Sequence, residues 1–496
     1  MSTAVAITTR AARGAVLQMA GFITLTLCSY VAVMLLARHL GPAAYSVYGV
    51  VYSTLLATEL MLRLGVPQSL TKLVAGVAGS ARSLEATGIT LVLSINIVAF
   101  ALFWIAAPSL AQILQVEDGS RLFRIAAIDL PFFGLYTVLA HIMGGRRNFL
   151  LGSLATMAYG AAKVVGVALL IATGNLSIAG ALVVNIAASV VGLLVLLPAA
   201  GTAVLRPELG ERAAIFALAV PIMLADLGVQ TLLAIDLWML NALGGHVPAA
   251  VKGHYVAALN LARVPNLLAF VLATVLIPSV SKALAQQDSD SVQRLVRGAT
   301  RFLAVLVLPA CALIAVNAEP ILALLFSSAY APGAPYLALL IFAHGLGFTC
   351  LSSLQSILVG AGRAAAGARR IYGGLVVAIL VNAVLIPRFG ADGAGIGAVL
   401  AFAIAAVLVG GVVRATVGAL VEVRVAALAV LASLGIAVLG WLIPSRGPLV
   451  LVELALLGCL HLAVAWTLGL IGKADLELLR GRNGAEAKTG AEAPVP

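Results

Sequence analysis

Charge is what this chain has least of. Only 10% of its 496 residues are Asp, Glu, Lys or Arg, while 62% are hydrophobic. A water-soluble fold is typically about half apolar and about a quarter charged. No soluble enzyme or soluble binding module could hide this much apolar surface. Cysteine is nearly as scarce. Cys28, Cys311, Cys350 and Cys459 all lie in apolar stretches, without CxxC spacing or the density of a disulfide framework. They are expected to serve as small apolar side chains. The six histidines are scattered and form no HExxH-like pattern, so no metal centre and no catalytic constellation is expected.

What is present is hydrophobic length. A bilayer crossing needs about 20 mostly apolar residues. That window finds fourteen segments: 14–37, 43–63, 86–107, 122–144, 150–172, 176–198, 213–243, 249–280, 300–318, 335–361, 371–387, 391–413, 423–443 and 448–471. Arg10 and Arg13 before an apolar run give residues 1–37 the look of a secretion leader. The run is too long for one and lacks a small-residue cleavage site, so it reads as the first membrane helix. The expected class is therefore an all-α polytopic membrane protein. Its tail, 472–496, is small and polar and is expected to be disordered.

Basic residues test this map, because Lys and Arg concentrate in cytoplasmic loops. With the N terminus inside, 22 of the 30 Lys and Arg fall on the inner side and 6 on the outer. Lys163 and Arg263 remain within the membrane. Adding or removing one helix would invert everything after it and destroy the asymmetry. Both termini are thus expected in the cytoplasm, and the net charge of +11 reflects topology rather than nucleic acid binding.

An internal repeat organises the helices. HIMGGRRNFLLGSLATMAYGAAKVVGVALLI, from His141, echoes ILVGAGRAAAGARRIYGGLVVAILVNAVLI, from Ile357, at an offset of 216 residues. The basic loop falls on the same side in both copies, so the halves are parallel six-helix repeats. The expected parts are a cytoplasmic segment 1–13, bundles 14–198 and 213–414 joined by a cytoplasmic linker 199–212, and two added helices in 423–471.

The stretch RHLGPAAYSVYGVVYSTLLATELMLRLGVPQSLTKLVAG resembles the first-loop signature of the polysaccharide-transport branch of the MATE-like flippases. AIDLWMLNALGG, GHYVAALNLARVPNLLAFVLATVLIPSVSKALA, AEPILALLFSSAYAPGAPYLALLI and NAVLIPRFGADGAGIGAVL are similar to later blocks of the same branch, in the same order. The resemblance covers about residues 14–415. It implies two six-helix bundles around a central cavity, plus two C-terminal helices. It also implies translocation of an undecaprenyl-pyrophosphate-linked oligosaccharide across a bacterial inner membrane. The implied partners are that lipid, membrane lipids, and a polymerase and glycosyltransferases of the same pathway. Lipid-linked peptidoglycan-precursor flippases share the block Tyr255–Pro265 but usually carry charges in the first helix. AVLQMAGFITLTLCSYVAVMLLA has none, which favours a surface polysaccharide. A MATE-type drug/cation antiporter is the alternative with the same architecture. A membrane glycosyltransferase would need a long extramembrane loop, and the outer loops here are too short.

A flippase must carry an anionic headgroup through hydrocarbon, which calls for cations at mid-depth. The ionisable residues within the segments are Glu59, Asp129, Lys163, Asp226, Asp236, Arg263 and Glu453. Of these, Arg263, Lys163, Asp129 and Asp236 are the candidate substrate-binding residues. Arg263 lies about nine residues into its helix, roughly 14 Å deep. Its planar fork suits phosphate oxygens, and Pro265 is expected to bend the helix beside it. An ion pair with Asp236 is the packing alternative. Asp236 and Asn382 both lie roughly 10 Å below the outer surface and offer hard oxygen ligands. The resemblance implies a cation between their helices, so they are the candidate cation site. No cofactor is expected beyond a coupling Na+ or H+. Tyr45, Tyr48, Trp104 and Trp441, near segment ends, read as interfacial anchors.

Overall fold

The computed structural model describes residues 2–77, 81–201, 206–418, 420, 422–443 and 445–470. The tail expected to be disordered, 472–496, lies outside them, as do the side chains of residues 1–13 and of Asp226. Among the described residues the chain is helical throughout, with eighteen α-helices. They are α1 (Ser2–Leu64), α2 (Val66–Gly76), α3 (Arg82–Ile113), α4 (Gly119–Ala127), α5 (Asp129–Gly145) and α6 (Phe149–Ala172). Next come α7 (Ile178–Ala200), α8 (Arg212–Leu243), α9 (Ala249–Ala262), α10 (Asn266–Ala285), α11 (Ser289–Phe302) and α12 (Leu308–Val316). Last are α13 (Ala318–Leu325), α14 (Ala334–Leu340), α15 (Phe348–Gly360), α16 (Ala364–Val417), α17 (Val423–Leu442) and α18 (Leu449–Thr467).

Eleven stretches are long and apolar enough to cross a membrane, and the longest two each contain a reversal. In α1, Gly14 faces Phe149 and Gly160 faces Cys28, yet Tyr52 has returned to the level of Lys163 on α6. The chain turns back at Gly41, whose positive φ of 75° breaks the helix where glycine alone carries no Cβ penalty. In α16 the turn is Gly390, φ 58°, and Asn382 on one arm packs on Gly397 of the other. With α8, which spans 32 residues, the passes number fourteen among the described residues. The repeat is visible in the backbone: Gly174 and Gly390, both with positive φ, stand 216 positions apart.

The outward faces are apolar, as lipid contact requires. Leu102, Ile105, Val407 and Leu456 are each more than 60% exposed. Trp441 is 72% exposed and Trp104 38%, consistent with positions at a lipid surface. Tyr45 and Tyr48 correct the expectation of interfacial anchors, being only 1% and 6% exposed. They sit in a seam between α1 and the second half. Tyr45 makes an edge contact with Tyr330 and accepts a hydrogen bond from Asn260 Nδ2 at 3.0 Å. Tyr330 in turn donates to the Ala37 carbonyl, 2.8 Å away, and Arg38 donates to the carbonyls of Leu324 and Leu325. Gly253 packs so closely on the Pro42 carbonyl that no side chain fits there.

Three local features depart from the sequence reading. Residues 66–76, outside the fourteen apolar segments, form α2, an amphipathic helix that buries Val66, Leu70 and Val74. The ninth pass starts earlier than 300, because Asp288 caps α11 by accepting from Ser291 N at 2.9 Å. Two π-helical turns, Leu303–Val307 and Ile341–Gly347, interrupt the ninth and tenth passes. Such bulges re-aim side chains and often mark functional positions.

Candidate functional site

The four candidate substrate residues fall into two clusters, one in each half. In the first, Lys163 on α6 is 9% exposed and donates to the Tyr52 hydroxyl at 3.1 Å. Its ammonium also lies 4.6 Å from the centre of the Tyr159 ring and 5.4 Å from that of Tyr52. Cation–π contact of this kind stabilises a buried lysine. The rings of Tyr48 and Tyr52 stack at 5.4 Å, and those of Tyr136 and Tyr159 at 5.2 Å, so aromatic walls enclose the ammonium. Asp129, fully buried where α4 gives way to α5, accepts from Asn185 Nδ2 of α7. Glu59 is 1% exposed beside them, close enough for its charge to act on both Asp129 and Lys163. Asp129 Oδ1, Glu59 Oε1 and Ser189 Oγ are buried beside one another. A buried acidic pair around one lysine fits the packing reading of Lys163 and Asp129 as well as a binding one.

The second cluster is built around Asp236, in the third-last turn of α8. Its Oδ2 accepts from the Tyr255 hydroxyl at 2.8 Å and lies 3.0 Å from His344 Nε2. All three groups are buried. The π-helical turn Ile341–Gly347 delivers His344 to the carboxylate, and its ring packs against Phe402, 5.0 Å centre to centre. Asp236 Oδ1 and His344 Nδ1 are buried without partners. Asn382 is fully buried on α16, and neither atom of its amide has a hydrogen-bond partner. Asp236 and Asn382 share no hydrogen bond or common ligand among the described residues.

Arg263 stands where the eighth pass breaks. The helix α9 ends at Ala262 and α10 begins at Asn266, so Arg263, Val264 and Pro265 form a tight connection rather than a simple bend. The Leu261 carbonyl, which Pro265 cannot serve, accepts instead from Val264 N at 3.1 Å. The Arg263 guanidinium donates to the Leu233 carbonyl, one turn before Asp236 on α8, and its Nε is buried without a partner. Asp236 lies within its electrostatic reach, but no ion pair joins them among the described residues. The carboxylate's partners are Tyr255 and His344 instead. Nothing among the described residues brings Arg263 into contact with Lys163.

Tyr255, His344, Tyr52, Tyr159 and Asn185 were not singled out from the sequence. His344 carried the clearest signal, a histidine in the apolar run LALLIFAHGLGF, where an ionisable residue needs a polar partner.

This arrangement defines a multi-pass helical membrane protein with the fold of the MOP-superfamily transporters. The structure matches an inward-closed lipid II flippase MurJ with a TM-score of 0.72 at 12% identity, over 94% of this chain and 99% of that one. An inward-facing multidrug resistance MATE transporter matches at 0.68 and 16% identity, over 79% and 94%. A MOP-superfamily transporter from Pyrococcus furiosus, described as having a binding pocket of reversed polarity, matches at 0.61 and 16%, over 82% and 95%. No curated protein matches the chain in sequence. A family profile matches residues 35–335, and the chain belongs to the polysaccharide biosynthesis protein family.

Proposed function

We propose that the chain is a flippase, not an enzyme, that moves a pyrophosphate-linked oligosaccharide on a polyprenyl lipid between the leaflets of a bacterial inner membrane. Family membership supports the polysaccharide substrate class. The observation that carries the reading is Arg263, a cation at a helix break, held by a carbonyl rather than by a carboxylate, at the mid-membrane depth expected from the sequence. A guanidinium at this depth costs about 2.5–3.5 kcal/mol on insertion scales and calls for a polar or anionic partner. Its fork can grip phosphate oxygens bidentately, and the break beside it gives a wall that can rock. Lys163 serves as a second cation only in a conformation that opens its tyrosine cage.

In this reading both termini face the cytoplasm, as the distribution of basic residues requires. A coupling cation fits the region around Asp236, where Asp236 Oδ1 and Asn382 Oδ1 are buried acceptors without donors among the described residues. Na+ would use those oxygens; a proton would use the carboxylate.

The test is Arg263→Lys, alongside Arg263→Ala/Asp236→Ala, in vesicles that report lipid-linked oligosaccharide translocation. A lysine variant that folds normally but transports poorly supports the phosphate grip. A double-alanine variant that transports normally reduces Arg263 to a packing residue.

A further inference from the structure

A second basic site lies away from the central arginine, where the C-terminal ends of α2 and α5 approach the start of α3. Between these helix ends is an open cavity of about 490 Å³. Val74, Ala75, Val77 and Ala81 form its apolar part, and Arg82, Glu85, Arg146 and Arg147 its polar part. The three arginines do not play the same role. Arg146 is fully engaged: Nε and Nη2 donate to the two oxygens of Glu85 at 2.6 and 2.5 Å, and Nη1 donates to the Ala199 carbonyl at 2.7 Å. That fork-to-carboxylate pair stiffens the cavity wall and neutralises the one acidic residue in it. Arg82 and Arg147 are exposed, and no acidic side chain pairs with either among the described residues. Arg147 sits in a left-handed turn, φ 58°, which closes the connection from α5 to α6. Two guanidinium groups without an acidic partner among the described residues therefore share a cavity with an apolar wall, on the side that the distribution of basic residues assigns to the cytoplasm.

We propose that this cavity binds the phosphate-bearing headgroup of a membrane lipid, with Arg82 and Arg147 as the phosphate ligands and Val74, Val77 and Ala81 against the glycerol or first isoprenyl carbons. Basic pockets between membrane helices on the cytoplasmic side suit such headgroups. The wall is also tied to the linker between the halves. Besides the Arg146 bond to Ala199, Ser83 Oγ donates to Glu208 at 2.6 Å, and Glu208 N donates to Thr90 Oγ1 at 3.2 Å. An occupant would thus bear on the segment that joins the two bundles. The site does not depend on what the central arginine binds.

Two lipids share the required chemistry: a bulk anionic phospholipid and the polyprenyl pyrophosphate itself. Native mass spectrometry of the full chain in detergent separates them. The Arg263→Ala background keeps binding at the central arginine out of the count. Phosphatidylglycerol, cardiolipin, farnesyl pyrophosphate and, as neutral control, phosphatidylcholine are added separately. Retention should fall about tenfold in Arg82→Ala/Arg147→Ala, since two solvent-exposed charge contacts are removed. Retention of phosphatidylglycerol or cardiolipin assigns a structural lipid; retention of farnesyl pyrophosphate alone assigns a capture site for substrate. Arg82→Gln/Arg147→Gln, which keeps side-chain bulk, must lose the adduct as well. Binding no better than phosphatidylcholine, or adducts that survive in both double variants of unchanged melting temperature, would overturn the proposal.

Discussion

The buried hydrogen bond from Tyr255 to Asp236 can be weighed directly. Its oxygen–oxygen distance is 2.8 Å, and both side chains are almost wholly inaccessible. Hydrogen bonds between neutral groups in membrane proteins contribute only about 0.6 kcal/mol on average. A bond to a charged acceptor is worth about 1.5–3 kcal/mol, and among the described residues Tyr255 and His344 are the side chains that meet the Asp236 carboxylate to offset its burial. The ionised reading therefore predicts a coupling well above the neutral value. The cycle is Tyr255→Phe, Asp236→Leu and both together, followed by tryptophan fluorescence during equilibrium unfolding in mixed micelles. The expected coupling is about 1.5–2 kcal/mol, with Asp236→Leu the costlier single change because it leaves two donors unpaired. Effects that add within about 0.5 kcal/mol would refute the reasoning.

Valine at Gly253 should drive α9 off the Pro42 carbonyl, giving a protein that inserts but transports poorly, as vesicle flipping would register. Replacing Glu85 with Gln should lower stability by about 1 kcal/mol or less, because Arg146 is one-third exposed, and high salt should shrink the effect in detergent melts. Cys459, exposed on α18, should react with an apolar maleimide well before buried Cys311, which should label only on unfolding; equal rates would contradict the packing of α18.

The passes were legible because hydrophobic length and loop charge are independent constraints that agree. The repeat was legible because Gly174 and Gly390 must both adopt positive φ, and the residues around them recur with them. Residues 66–76 were not, since eleven residues with a half-apolar face look like loop to a window of membrane length. Tyr45 and Tyr48 were misplaced for a related reason. Aromatic residues near helix ends suit an interface with lipid headgroups, but here the ends of two bundles meet and the rings seal that seam. At the candidate site, Asp236 and Arg263 stood out by their charge, whereas their pairing could not be read from depth alone. Residues at one depth can point around a helix in any direction, and the carboxylate turns toward His344, which a π-helical turn re-aims. A histidine outside any metal-ligand spacing does not reveal its partner in the sequence, so the carboxylate that His344 serves was not legible.

The central claim is that this chain moves a pyrophosphate-linked oligosaccharide lipid and does so through Arg263. Its most direct test is reconstitution of the purified protein into liposomes with a fluorescent undecaprenyl-pyrophosphate-linked oligosaccharide, with transfer to the outer leaflet read by enzymatic access to the sugar. The account predicts transfer well above protein-free liposomes, lost in Arg263→Lys of unchanged melting temperature, and no accumulation of organic cations in parallel vesicles. Cation transport without lipid transfer, or lipid transfer undiminished in Arg263→Lys, would contradict it.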